Sequence, residues 1–481
     1  MIANRRPRPT SDDRELRLWK VGRALIITFA AAVLVAGGIF YGLVYLLDFQ
    51  EIDTTKKLDA KTLFDLVKLS FGVVAGAGAL VALVVAYRRQ RVDEAGAHRE
   101  ATRLHTERFS QAVDKLGSDS PAVRLGGVHA LAGLADDAPN DNLRQTCIDV
   151  LCAYLRLPHT PDPGTADLEN HHLYLALREV RHTILRLIGD HYRRPEGTHH
   201  SWQGCDLDLT GVTIDGDMDF SNARFARGTV TFSGATFSGG MLDFGGATFS
   251  GGMLDFSDAT FSGGTLDFSD ATITGGTLDF RDTTITGGML DFSSTTITGG
   301  RVDFSNATLS GGRVFFAVAT ISGGTVFFGG ATLSGGRVHF GHATITGGTV
   351  FFSDTTLSGG MVLFGRATIS GGAVFFSRAR ISGGTVFFRE ARISSGTMAF
   401  NGATISGGRV DFGRATISGG AVPFIHATIS SDTVSFDSST ISGGTLDFSD
   451  TTGPAPSGLL TAVGSPVPRT VILPQAWAPI P

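Results

Sequence analysis

From Phe220 to Phe448 a phenylalanine stands at every twelfth position, giving twenty units of the approximate form Ser-x-Ala-Thr-Ile-Ser-Gly-Gly-Thr-Val-x-Phe. A fixed period of this kind predicts a solenoid. Within each unit, Ala-x-Ile/Phe and Val/Leu-x-Phe alternate with period two, the pattern of short strands with one buried face. Gly-Gly and Ser-x pairs break them into corners. Ala247, Phe249, Leu254 and Phe256 are therefore expected inside, with Thr248 and Asp255 outside. Volume favours two units per coil, because twelve residues would leave little room for stacked Phe rings between strands one sheet spacing apart. Residues 201–450 thus read as an all-β helix of about 24 residues per coil, about 48 Å long, with a 12-residue coil of about 96 Å as the alternative.

The first two hundred residues follow other periods. Residues 24–47 carry no charge and as a helix would reach about 36 Å; a second uncharged run covers 69–87. Two transmembrane helices are predicted, joined by an extracytoplasmic loop at 48–68. The basic N-terminus, 1–23, and Arg88, Arg89 and Arg91 place both termini in the cytoplasm under the positive-inside rule. The expected localisation is the cell membrane, with the lipid bilayer as a partner and the hairpin as an anchor. Residues 92–200 read as a small α-helical connector: Phe109, Ala112, Val113 and Leu116 recur at helical spacing. So do Val128, Leu131, Ala132 and Ala135, then Ile148, Leu151, Cys152 and Leu155, and finally Leu177, Val180, Ile184, Leu187 and Ile188. Ser120 is the expected N-cap before Pro121. Residues 451–481, with seven prolines, end the repeats; Leu459, Leu460 and Trp477 are expected to cover the last coil.

Composition adds little chemistry. The formal net charge of −5 points to no polyanionic partner. Cys147, Cys152 and Cys205 are too few for a disulfide framework and read as buried thiols. His171, His172, His182, His191, His199 and His200 crowd the connector, but their spacing matches no zinc signature. No phosphate loop, nucleophile elbow or dinucleotide fingerprint occurs. The chain reads as non-enzymatic, with no cofactor and no metal; a metal-dependent role for the histidine-rich connector is one alternative.

Inward residues paired two apart and stepping by five and then seven, as in Phe232, Phe237, Phe244 and Phe249, resemble the pentapeptide-repeat family. "CDLDLTGVTIDG" at 205–216 is close to that family's usual pattern. The segment "ERFSQAVDKLGSDSPAVRLGGVHALAGLA" is similar to one preceding the repeats in membrane-anchored actinobacterial members. The resemblance implies a right-handed quadrilateral β-helix, widened here by the Gly-Gly pairs, and a non-enzymatic role. It also implies an alternative, mimicry of duplex DNA toward a topoisomerase through the acidic half.

Because inward positions barely change, function is expected where outward positions vary. The residue before the invariant Phe is Asp243, Asp255, Asp267, Asp279, Asp291 and Asp303 in succession, an acidic ladder that splits into two in 24-residue coils. Beyond it the position turns aromatic and arginines arrive. Phe315, Phe327, Phe351, Phe375, Arg378, Arg380, Phe387, Arg389 and Arg392 form the candidate interaction surface, offered to a cytoplasmic protein partner. Nucleic acid is disfavoured, since the repeats contain no lysine and the acidic half would repel phosphate.

Overall fold

The computed structural model describes residues 60–158 and 162–477, together with helical positions within 26–38. The chain divides into two units, residues 1–104 and 105–481. Among the described residues no helix is long and apolar enough to cross a membrane. On that finding the two-span hairpin and the membrane localisation are corrected. The run 24–47 lies largely outside the described residues. The run 69–87 is not a separate element: it belongs to a 57-residue helix, α1 (Ala60–Leu116), that continues unbroken through Arg88, Arg89 and Arg91 and the charged stretch beyond.

Within residues 105–481 the helical connector forms as its periodicity predicts. The last turns of α1 pack with α2 (Pro121–Asp136), α3 (Asp141–Arg156) and α4 (Leu168–Arg193) around Leu116, Val128, Leu131, Ile148, Leu151 and Ile184. Ser120 precedes α2 but makes no side-chain cap bond; the turn starts on Pro121. Asn140 and Asp167 do cap, accepting from the backbone N–H of Leu143 and Asn170.

Helix α4 closes the first coil of the solenoid. At Gly189 a Cβ would lie 2.4 Å from the carbonyl oxygen of Asp219, so only glycine lets the helix come this close. Around that contact Arg193 pairs with Asp219 at 2.8 Å, and the Tyr192 ring meets Phe220 edge-on. Asp215 accepts from His182 (3.2 Å) and Arg178 (3.0 Å), which hold its carboxyl well below the usual carboxylate range despite partial burial. A depressed folded-state pKa stabilises above the unfolded value, about 3.9, and that contribution disappears as pH falls below it. Asp215→Asn lacks that contribution at every pH, so the cap is expected to be less stable than the parent at neutral pH and its acid unfolding to begin at higher pH. Circular dichroism across an acid titration reads the shift.

The solenoid has about 24 residues per coil, about 11 turns, and is of the right-handed type. Every coil supplies four short strands, hence four faces. The first face runs from Leu207–Asp208 through Met253–Asp255 to Thr445–Asp447. The second takes Thr213–Ile214 to Thr428–Ile429, the third Met218–Asp219 to Val434–Ser435, and the fourth Arg224–Phe225 to Thr440–Ile441. Neighbouring strands are parallel and step by one coil, as Leu242, Leu266 and Leu290 do on the third face. This register excludes the 12-residue alternative.

Two columns of rings explain why two units are needed. Phe244, Phe268 and Phe292 stack at 4.8 and 4.7 Å, one coil apart, while the second column, containing Phe256, Phe280 and Phe304, stacks at 4.9 and 4.6 Å. The columns meet edge to face, as between Phe280 and Phe292 at 6.1 Å and 85°. Offset stacking along a column with T-shaped contacts between columns satisfies the ring quadrupoles in both directions. Ala247, Phe249, Leu254 and Phe256 are all buried, as the period-two pattern predicts.

The corners are of two kinds. After each inward Phe, a residue with φ near 60° turns the chain: Asp258, Asp270 and Asn306, but also Arg366 and Arg378. The Gly-Gly corners separate the second face from the third and the fourth from the first. At Thr368–Phe375 and Arg392–Ala399 that second kind straightens into continuous strand, merging the fourth and first faces into one 20-stranded sheet. The C-terminal tail does not simply stop strand addition: Val471–Ile472 pairs with Leu446–Asp447 as one more strand. Leu459 and Trp477 are buried against the end, with Trp477 Nε1 donating to Gly453 O at 2.9 Å, whereas Leu460 stays exposed.

Candidate interaction surface

The acidic ladder forms with the predicted split. Asp243, Asp267 and Asp291 lie in register on the third face, and Asp255, Asp279 and Asp303 on the first. What the sequence reading missed is their local work. Each carboxylate Oδ1 accepts the backbone N–H two residues on: Asp243 from Gly245 at 2.6 Å, Asp255 from Ser257 at 2.9 Å, Asp291 from Ser293 at 2.8 Å. The recurrent Asp-Phe-Ser is thus a turn cap as well as a surface charge. Its signal was present in the fixed spacing between the Asp and the left-handed corner residue.

The two acidic ladders differ electrostatically. On the first face Asp279 and Asp303 are buried under arginines: Arg281 contacts Asp279 at 2.5 Å and Arg301 contacts Asp303 at 2.5 Å. These two contribute little exposed negative charge. On the third face burial and the neighbouring carboxylates Asp219 and Asp267 push the Asp243 carboxyl up, against the Gly245 N–H that lowers it. Asp219 is paired with Arg193, whereas Asp243, Asp267 and Asp291 stand one sheet spacing apart without an ion-pair partner among the described residues.

Beyond Asp303 the capping Asp gives way to apolar side chains. Phe327, Phe351 and Phe375 occupy the first face in consecutive coils; their rings stack at 4.8 and 5.2 Å on the outside of the solenoid. Arg301, which the sequence reading did not single out, lies over the Phe327 ring at 3.7 Å while holding Asp303, and so tops the stack. All three rings are half-buried. The remaining predicted residues are not brought to this stack. Phe315 and Phe387 lie on the third face, Arg380 on the second and Arg392 on the fourth. Arg378, at a corner, pairs with Asp354 at 2.7 Å; Arg389 pairs with buried Asp411 at 2.7 Å. The nine residues therefore form no single surface: the coherent part is the stack of Phe327, Phe351 and Phe375, which Arg301 joins from outside the nine.

The connector's polar residues are engaged in structure. Asp136 draws together His191 Nε2 (3.2 Å), His200 Nδ1 (3.1 Å) and Trp202 Nε1 (3.0 Å), with His191 stacked on Trp202 at 4.2 Å. Among the described residues no group of three or more His, Cys, Asp or Glu is arranged to hold a metal ion. Burial pushes the Cys147 and Cys152 thiols up to about 12 and Cys205 to about 11, the opposite direction from a reactive thiolate.

The fold and these surfaces define a β-solenoid repeat protein whose described residues show no catalytic constellation. Residues 202–248 and 244–296 match a family model described as pentapeptide repeats (9 copies), so pentapeptide repeats are detected in the first half of the solenoid. The match carries the repeat family and does not extend to the membrane-anchored actinobacterial type. No curated protein and no solved structure matches the chain.

Proposed function

We propose that the protein is a non-enzymatic scaffold whose rigid β-solenoid offers its first face to a protein partner. The observation that carries this reading is the external stack of Arg301, Phe327, Phe351 and Phe375. At each of the three Phe positions the earlier coils place an Asp that caps the following turn, a hydrogen bond worth about 1 kcal/mol. The chain forgoes that bond three times in succession to hold aromatic rings at the surface. Aligned rings topped by a guanidinium have the composition of interface hot spots, and the rigid coils beneath them reduce the ordering cost of binding.

The test is site-specific photo-crosslinking in the producing cells. A photoreactive side chain replacing Phe351 is expected to give one protein adduct, lost when Phe327 and Phe375 are changed to Ser. The same group replacing Thr356 on the second face is expected to give none. Equal labelling from both positions would overturn the reading.

A further inference from the structure

The third face carries a charge pattern that nothing else in the chain answers. One outward column carries Asp219, Asp243, Asp267 and Asp291 in consecutive coils, then Phe315 and His339; two residues earlier in the strands a second column runs Met241, Thr265 and Met289, then Arg313 and Arg337. Asp219 is neutralised by Arg193 of α4. Among the described residues Asp243, Asp267, Asp291, Arg313 and Arg337 make no ion pair, although the first face neutralises its own Asp279 and Asp303 within the same strands or turns. Arg313 and Arg337 are exposed, and Met241, at 38%, is an exposed apolar side chain on the same face.

We infer that this face pairs with the same face of a second copy of the chain, the two solenoids lying antiparallel. The argument is the symmetry of the pattern. A two-fold axis placed between the Asp291 coil and the Arg313 coil brings each of these opposite the other in the second copy. One coil further out, the Asp267 coil comes opposite the Arg337 coil. Acid-bearing coils then face arginine-bearing coils on both sides of the axis. Asp291 lies directly opposite Phe315 and Arg313 opposite Met289, so each charge is two strand positions, about 7 Å, from its opposite, a gap an extended arginine spans. The Met241 coil meets the coil of Met361 and Leu363. A parallel pairing sets acid on acid and arginine on arginine, so the charges select the antiparallel arrangement. Coils from Asp219 to Thr385 engage, a strip about 38 Å long at the usual strand spacing. Such a strip covers about 400–500 Å² on each copy, below the roughly 800 Å² of a standard interface, so the association is weak and salt-sensitive. This inference is independent of the partner-binding reading, which uses the first face.

Sedimentation velocity of the full chain tests it. Dimer is expected to form with rising concentration at about 0.02 M salt and to dissociate at about 0.5 M, where the Debye length is only a few ångströms. R313E/R337E is expected to remain monomeric at low salt while its Phe351 crosslinking is unchanged. D267N/D291N keeps the turn-capping oxygens and is expected to weaken association at least about tenfold, each lost charge pair being worth roughly 1 kcal/mol. Finally, R313E/R337E mixed with D267K/D291K is expected to form a mixed dimer although neither dimerises alone, because both sets of opposed charges are then restored. A parent chain that stays monomeric at low salt overturns the inference. So does an R313E/R337E chain that associates like the parent, or a mixture that fails to pair when both variants show the parent's thermal melt.

Discussion

Phe340→Ala is expected to destabilise the solenoid by about 3–5 kcal/mol, the cost of removing a fully buried aromatic side chain and leaving the void behind. Phe340 has no exposed surface and sits between Phe316 and Phe364 at 4.8 Å each, with Phe352 edge-on at 6.2 Å. Each coil touches only its neighbours, so the loss should appear as local opening and not as uniform weakening. Hydrogen exchange should show faster exchange of the amides that bridge coils here, such as Phe316 to His339 O and Phe340 to Leu363 O, with the terminal coils still protected. An equal loss of protection along the whole array would show that the stack behaves as one cooperative body.

Gly311→Ala is expected to cost about 3 kcal/mol, and Gly365→Ala almost nothing, although both positions are glycines in corners of the same solenoid. A Cβ at Gly311 would lie 2.1 Å from the carbonyl oxygen of Thr286 in the coil below, whereas at Gly365 the nearest atom is 3.8 Å away. The first substitution forces backbone apart and the second makes an ordinary van der Waals contact. Thermal melts of the two variants measured side by side decide the matter. The chain itself contains a related change: Ser395 stands where most other units have the first glycine of the pair. There the corner becomes part of a continuous strand, the register slips around Ser370, and Ser395 Oγ donates to Ser370 O.

That example shows what the sequence makes legible and what it does not. The period of twelve, with Phe, Ala and Leu in phase, is enough to assign inward and outward positions and to argue for 24-residue coils, because the volume of stacked rings leaves few solutions. The straightened corners at Thr368–Phe375 and Arg392–Ala399 depend instead on one backbone atom approaching another across coils. Only the second of them carries a sequence mark, the Ser395 exchange. For the surface, the ladders were legible from spacing alone. The double use of each Asp was not, since a carboxylate that caps a turn and one that faces solvent occupy the same position in the pattern. Arg301 escaped notice because its contact with Phe327 crosses from one coil to the next. The apolar run 69–87 misled for a different reason: hydropathy over a window takes no account of the helix continuing into Arg88, Arg89 and Arg91.

The pairing of two units per coil has a consequence for how such a chain can change in length. Duplicating or deleting a single twelve-residue unit is half a revolution, so everything downstream would turn about the axis, first face exchanged with third and second with fourth, while the core columns remained continuous. Duplicating twenty-four residues leaves every downstream side chain pointing as before. The solenoid can therefore lengthen without penalty to its packing in either step, yet only the even step preserves the stack of Phe327, Phe351 and Phe375 in line with Asp255. Recombination between near-identical units thus acts as a rotary selector for what the molecule displays.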